Sequence, residues 1–201
     1  MTRRRETPAE GSARRAAVDD PATVLEAAAR FLEVRPRSVA EVRRRLRDNG
    51  FREDLVEGAI ARLVDLGMLD DAAFARAWVE SRDRARPRGA RALRDELRRK
   101  GVRAQDVEAA LAAREASSTG MDEDDPALRP AAGERATSGV SDEDAGARLL
   151  ARRGGPILRE PDARKRRAKA YALLARNGFD PDVCARLATA WLADGVPDPD
   201  E

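Results

Sequence analysis

The side chains best placed to do chemistry in this sequence are cations in register. Arg91, Arg94 and Arg98 stand at i, i+3 and i+7, opposite a stripe that holds Leu93 and Leu97. Arg43, Arg44 and Arg47 flank a corresponding stripe earlier in the chain, and Arg164, Lys165, Arg166, Arg167 and Lys169 form a third cluster, closed by Tyr171. Between positions 146 and 176 there are ten Lys or Arg against two acids, Glu160 and Asp162. Cations gathered on one helical face can neutralise phosphates, and an exposed ring beside them can stack on an unpaired base. The same arginines opposite an apolar stripe can also be no more than the wet side of a helix. The run from Arg164 to Lys169 favours an anionic contact, and Tyr171, which aligns with Arg43, is the candidate stacking ring. These twelve residues are the candidate contacts to nucleic acid or another anionic partner.

Other chemistry is sparse. The chain has 201 residues, no histidine and one cysteine, Cys184. That excludes histidine-based triads, HExxH metal sites, Cys/His zinc modules and an internal disulfide. Phosphate-binding, dinucleotide and serine-hydrolase motifs are missing, so no catalytic residue, metal or cofactor is expected. Asp70-Asp71 is a tight pair of acids, but it falls where a helix needs a cap. The acidic run Asp122-Glu123-Asp124-Asp125 lacks the alternation and glycine of a calcium loop. The net charge is only +2, no apolar run approaches a membrane span, and the arginine-rich start has no signal-peptide core. A cytoplasmic protein without a membrane partner is expected.

Internal similarity shows what positions these cations. The segment from Arg35 to Ala61 aligns without a gap on Arg86 to Ala112 at an offset of 51, so that Leu46 meets Leu97 and Gly50 meets Gly101. A third copy lies at an offset of 128, where Asn177-Gly178-Phe179 repeats Asn49-Gly50-Phe51. Each copy reads as helix, glycine turn, helix. Val39, Val42 and Leu46 form one helical stripe, Ser38 and Glu41 a capping box, and Gly50 a left-handed stop. A further helix precedes each pair, opened by Asp20-Pro21, by Asp71 and by Ser141, the second with Phe74, Ala77 and Trp78 on its apolar side. The expected fold is all-α: three tandem three-helix, helix–turn–helix-like repeats in an elongated array. The expected boundaries are repeats at 21–67, 68–116 and 141–194, a disordered tail at 1–20, a flexible acidic insertion at 117–140 and a C-terminal tail at 195–201. Phe31, Phe74, Trp191 and Cys184 are expected in cores.

The stretch from Ala59 to Ala75, in which Leu66-Gly67 ends a helix and Leu69-Asp70-Asp71 leads into Phe74-Ala75, resembles the RecX family. So do Glu96-Leu97-Arg98-Arg99-Lys100-Gly101 and Ser38 to Glu41-Val42 ending in Gly50-Phe51. The resemblance covers about Ala22 to Arg114 well and Asp142 to Ala193 more loosely. The acidic insertion departs from the family's common core. What the resemblance implies is a non-enzymatic regulator of the RecA recombinase that binds the RecA–single-stranded DNA filament and restrains ATP hydrolysis, filament growth and strand exchange. The implied partners are that filament and, through weak electrostatic contact, single-stranded DNA; the chain is expected to act as a monomer. The alternative is a helical DNA-binding protein with no RecA partner, and a purely structural helical scaffold also stays open.

Overall fold

The computed structural model describes residues 17–119 and 140–194, together with Gly11 and Arg15. The acidic run Asp122 to Asp125, with the rest of 120–139, most of the N-terminal segment and 195–201 lie outside the described residues. Among those described there are ten helices and no strand: α1 (Pro21–Glu33), α2 (Val39–Asp48), α3 (Glu53–Asp65), α4 (Asp71–Ala85), α5 (Ala90–Arg99), α6 (Ala104–Thr119), α7 (Asp142–Arg153), α8 (Gly155–Leu158), α9 (Ala163–Arg176) and α10 (Pro181–Asp194). The all-α fold of repeated three-helix units is therefore borne out, with the short α8 as an addition to the third copy.

Local chemistry sets the helix ends. The Asp20 carboxylate accepts from the Ala22 and Thr23 N–H groups and starts α1. Ser38 and Glu41 form the expected capping box on α2, and Ser141 with Asp144 forms another on α7. The glycines at 50, 67, 101 and 178 all carry a positive φ at a helix end. Two ends differ from expectation. Helix α6 runs on to Thr119, past the expected boundary at Ser117, because no glycine or proline interrupts it before Gly120. Helix α9 starts a full turn earlier than its repeat counterparts, because Asp162 accepts from the Lys165 N–H and caps it there.

The chain divides into two compact units, residues 1–75 with 98–106 and residues 76–97 with 107–201. In the first, Val24, Ala28, Val42, Leu46, Val56 and Leu63 build the core, and Val18, Leu25 and Phe31 pack against it. Val18 belongs to the segment expected to be a free tail; its apolar side chain finds the edge of the core, and Arg15 donates to the Asn49 carbonyl. In the second, Ala145, Leu149, Leu150, Ala170, Leu174, Phe179, Cys184 and Ala188 form a cluster with Trp191 at its rim. Cys184 is fully buried, and burial pushes its thiol above the usual range. The buried stripe of α4 is Phe74, Ala75, Val79 and Asp83. Ala77, expected on that side, is exposed, and Trp78 is half-buried.

One docking motif occurs in each unit. In the first, Ser38 Oγ donates to the Lys100 carbonyl at 2.6 Å, and a Cβ on Gly101 would lie 2.3 Å from the Ala40 Cβ. In the second, the Gly89 N–H donates to the Asn177 carbonyl at 3.1 Å, and a Cβ on Gly178 would lie 2.3 Å from the Ala92 Cβ. Each time, the turn of one repeat sits against the start of the preceding repeat's second helix, too close for any side chain but hydrogen.

Candidate nucleic-acid interface

The repeat places the same ion pair twice. Arg43 on α2 grips Glu57 on α3 through Nε at 2.6 Å and Nη2 at 2.8 Å, and Arg94 on α5 grips Glu108 on α6 at 2.7 and 3.0 Å. These are fork-to-fork pairs, and the carboxylate raises the guanidinium pKa further in both. Arg47 is likewise engaged, with Glu53 and Glu57. Its counterpart Arg98 has no ion-pair partner among the described residues: the position of Glu53 is taken by Ala104, and Glu108, the counterpart of Glu57, pairs with Arg94. Arg44, Arg91 and Arg98 are exposed, with no ion-pair partner among the described residues.

In the third copy the arginine–glutamate pair is replaced by Tyr171 on α9 and Ala185 on α10. The ring is 37% exposed. Arg164 and Arg167 precede it by seven and four residues, so all three share one face of α9. Arg164, Lys165 and Arg167 are exposed, with no side-chain partner among the described residues. Lys169 pairs with Glu160, whose carboxyl that ammonium holds below the usual range. Arg166 is half-buried and donates to the Glu160 carbonyl at 3.1 Å. Of the twelve candidates, then, Arg43, Arg47, Arg94 and Lys169 are tied to carboxylates and Arg166 to a backbone oxygen. The other seven present their charge or ring to solvent.

Sequence reasoning missed the polar groups that hold the repeats together. Asp70 caps its own helix, accepting from the Ala72 and Ala73 N–H groups. Asp71 instead accepts from the Val39 N–H at 2.9 Å and so caps α2. Asp142 repeats the move, accepting from the Ala90 N–H at 3.0 Å at the start of α5. Both aspartates directly follow a capping residue, Asp70 or Ser141, a register signal available in the sequence. Asp142 also receives Arg114, whose remaining N–H groups bind Asp83 at 2.8 and 3.0 Å, all three side chains being buried. Burial pushes the Asp83 and Asp71 carboxyls above the usual range, and the Arg114 pair opposes that at Asp83. Glu41 goes the other way. Its burial is outweighed by the Lys100 ammonium at 3.0 Å, the Ser38 N–H and Arg35, which together hold it below the usual value. No helix among the described residues is long and apolar enough to cross a membrane.

Known proteins resemble this chain in sequence and in fold. The family model described as "RecX, first three-helix domain" matches residues 25–63, and that for the second three-helix domain matches 70–111. The "Regulatory protein RecX" of Thermobifida fusca is 32% identical over 177 residues, covering 86% of this chain and 83% of the relative. The protein of the same name from Prosthecochloris aestuarii is 41% identical over 92 residues; the match covers 46% of this chain and 61% of that relative's length. A crystal structure of RecX from Lactobacillus salivarius superposes with a TM-score of 0.68 at 19% identity, covering 87% of this chain and 98% of that one, which is a likeness of fold. With identity of this level extending over most of both chains, beyond the two matched domains, the chain belongs to the RecX family of regulatory proteins.

Proposed function

We propose that this chain is a regulator of the RecA recombinase, binding the RecA–single-stranded DNA filament and slowing its growth, its ATP hydrolysis and strand exchange. The reading rests on one observation above the others, the alignment with a regulatory RecX protein across 86% of the chain. The surface is compatible with it. Each of the three repeats carries exposed arginines without carboxylate partners among the described residues. Several such contacts on neighbouring binding partners add through effective concentration, so no covalent chemistry is required. In this reading the chain acts as a cytoplasmic monomer, and Arg44, Arg91, Arg98 and the α9 cations meet phosphates or acidic protein groups.

The test is the rate of RecA ATP hydrolysis on single-stranded DNA with this protein titrated far below the RecA concentration. Inhibition at such ratios is the expected result, because a filament regulator acts on many protomers at once. Slowing only when the DNA is saturated would replace this reading with plain DNA competition.

A further inference from the structure

The repeat offers the same helix position three times, and two copies use it identically. Arg43 and Arg94 are tied down to Glu57 and Glu108. The third copy has Tyr171 opposite Ala185, a pair that cannot form the bridge, and the ring is left 37% exposed. Two further differences fall at the same place. First, α9 begins one turn earlier than its counterparts, and that added turn carries Arg164. Second, the corresponding helix starts in the other two copies are occupied: the Val39 and Ala90 N–H groups donate to Asp71 and Asp142, each at the start of the next repeat's first helix. On α9 the starting turn is capped by its own Asp162, and Arg164 and Arg167 have no partner among the described residues. The nearby acid Glu160 is engaged with Lys169.

We propose that Arg164, Arg167 and Tyr171 form a site for an unpaired nucleic-acid strand, in which the tyrosine ring stacks on one base and the two guanidiniums take flanking phosphates. The proposal rests on the filament reading and narrows it, assigning nucleic-acid contact to the third repeat. The choice of ligand follows from the ring. A carboxylate-bearing partner would be met as well by the arginine that the other copies keep. A flat, polar-tipped ring gives a carboxylate little and gives a base a stacking platform. A base inside a duplex hides that face, so the site selects single strands. Arg167 and Arg164 lie roughly 6 and 10 Å from Tyr171 along the helix axis, near enough for all three to act on adjacent nucleotides.

The experiment is fluorescence anisotropy of a labelled oligo-dT strand, and of a duplex of equal length, with the full chain and no RecA. Tyr171→Ala should weaken oligo-dT binding about 5- to 140-fold, the loss that one stacked base implies, and leave duplex binding unchanged. Tyr171→Phe should keep wild-type affinity. Arg164→Ala and Arg167→Ala should each flatten the salt dependence by about 0.7 in the log–log slope. Tyr171→Arg combined with Ala185→Glu, which rebuilds the bridge of the other repeats, should lose strand affinity while the melting temperature holds. Wild-type affinity for oligo-dT in Tyr171→Ala would overturn the site, as would an equal loss on strand and duplex. If the wild-type chain ignores oligo-dT yet slows RecA ATP hydrolysis, the site is wrong and the filament reading stands. If Tyr171-dependent binding is seen and RecA is unaffected, the site stands and the filament reading falls.

Discussion

At the scale of single residues, the charges that matter for stability are those between repeats rather than those on show. Arg114 meets two carboxylates, Asp83 and Asp142, and keeps only 6% of its surface exposed. Arg114→Met would leave both acids buried without their counter-charge, and should cost about 3–5 kcal/mol in urea unfolding. Asp83→Asn keeps a hydrogen-bonding oxygen for Arg114 and should cost less. Glu41 supplies a pH signature. Its carboxyl is held below its ordinary value of 4.5 in the folded chain, so its stabilising contribution is complete above that value and is lost as pH falls through the folded one. The stability difference between the wild type and Glu41→Gln should therefore be constant from pH 7 to about 5 and shrink toward pH 3. A difference that grew on acidification would show that the Lys100 pair does not form in solution.

At the scale of elements, the turn glycines separate two effects that the sequence presents as one. Gly67 has a φ of 69° and open space where a Cβ would go. Gly67→Ala should lose only the left-handed backbone penalty, about 1–2 kcal/mol. Gly101 has a φ of 76° and Ala40 only 2.3 Å from a built Cβ. Gly101→Ala should therefore cost more than Gly67→Ala by about 1–3 kcal/mol of overpacking, measured in the same denaturant series. Equal losses would mean that the turn is not docked against α2. The ion pairs between second and third helices are a different matter. Arg43–Glu57 and Arg94–Glu108 are partly exposed, with side-chain exposures of 31% and 43% in the first and 31% and 51% in the second. Each contributes at most about 1 kcal/mol. Their use is positional: they hold an arginine down that would otherwise point outward, as Tyr171 does.

At the scale of the whole molecule, the proposed activity depends on cations that folding leaves unspent. Arg91→Glu and Arg98→Glu should each weaken binding to the RecA filament and reduce its salt dependence, with the melting temperature unchanged, whereas Arg94→Ala should have the smaller effect on binding because Glu108 already neutralises that side chain. Filament co-sedimentation across a salt series reads all three. Wild-type affinity of the charge-reversed variants in moderate salt would remove α5 from the interface. Much of the candidate surface was legible beforehand, since i, i+3, i+7 spacing alone puts arginines on a helix exterior. What spacing cannot tell is which of them meets a carboxylate: the partners of Arg43 and Arg94 lie 14 residues away on another helix.

The sequence by itself determined the helices, the repeat and the family resemblance. These rest on short-range physics: a 3.6-residue apolar period, capping side chains within three residues of the N–H they bind, and glycine where φ must be positive. An apolar stripe misplaced by one register, as with Ala77 on α4, marks the limit of that reading, because burial of a face depends on what packs there. Only the tertiary structure decided how Asp70 and Asp71 divide their work, why Ser38 and Lys100 belong together, and that Arg114, Asp83 and Asp142 share one buried cluster. Those groups are brought together by folding over separations of 28 to 62 residues. Their charges are stabilised by geometry and desolvation, which residue types and spacing do not encode.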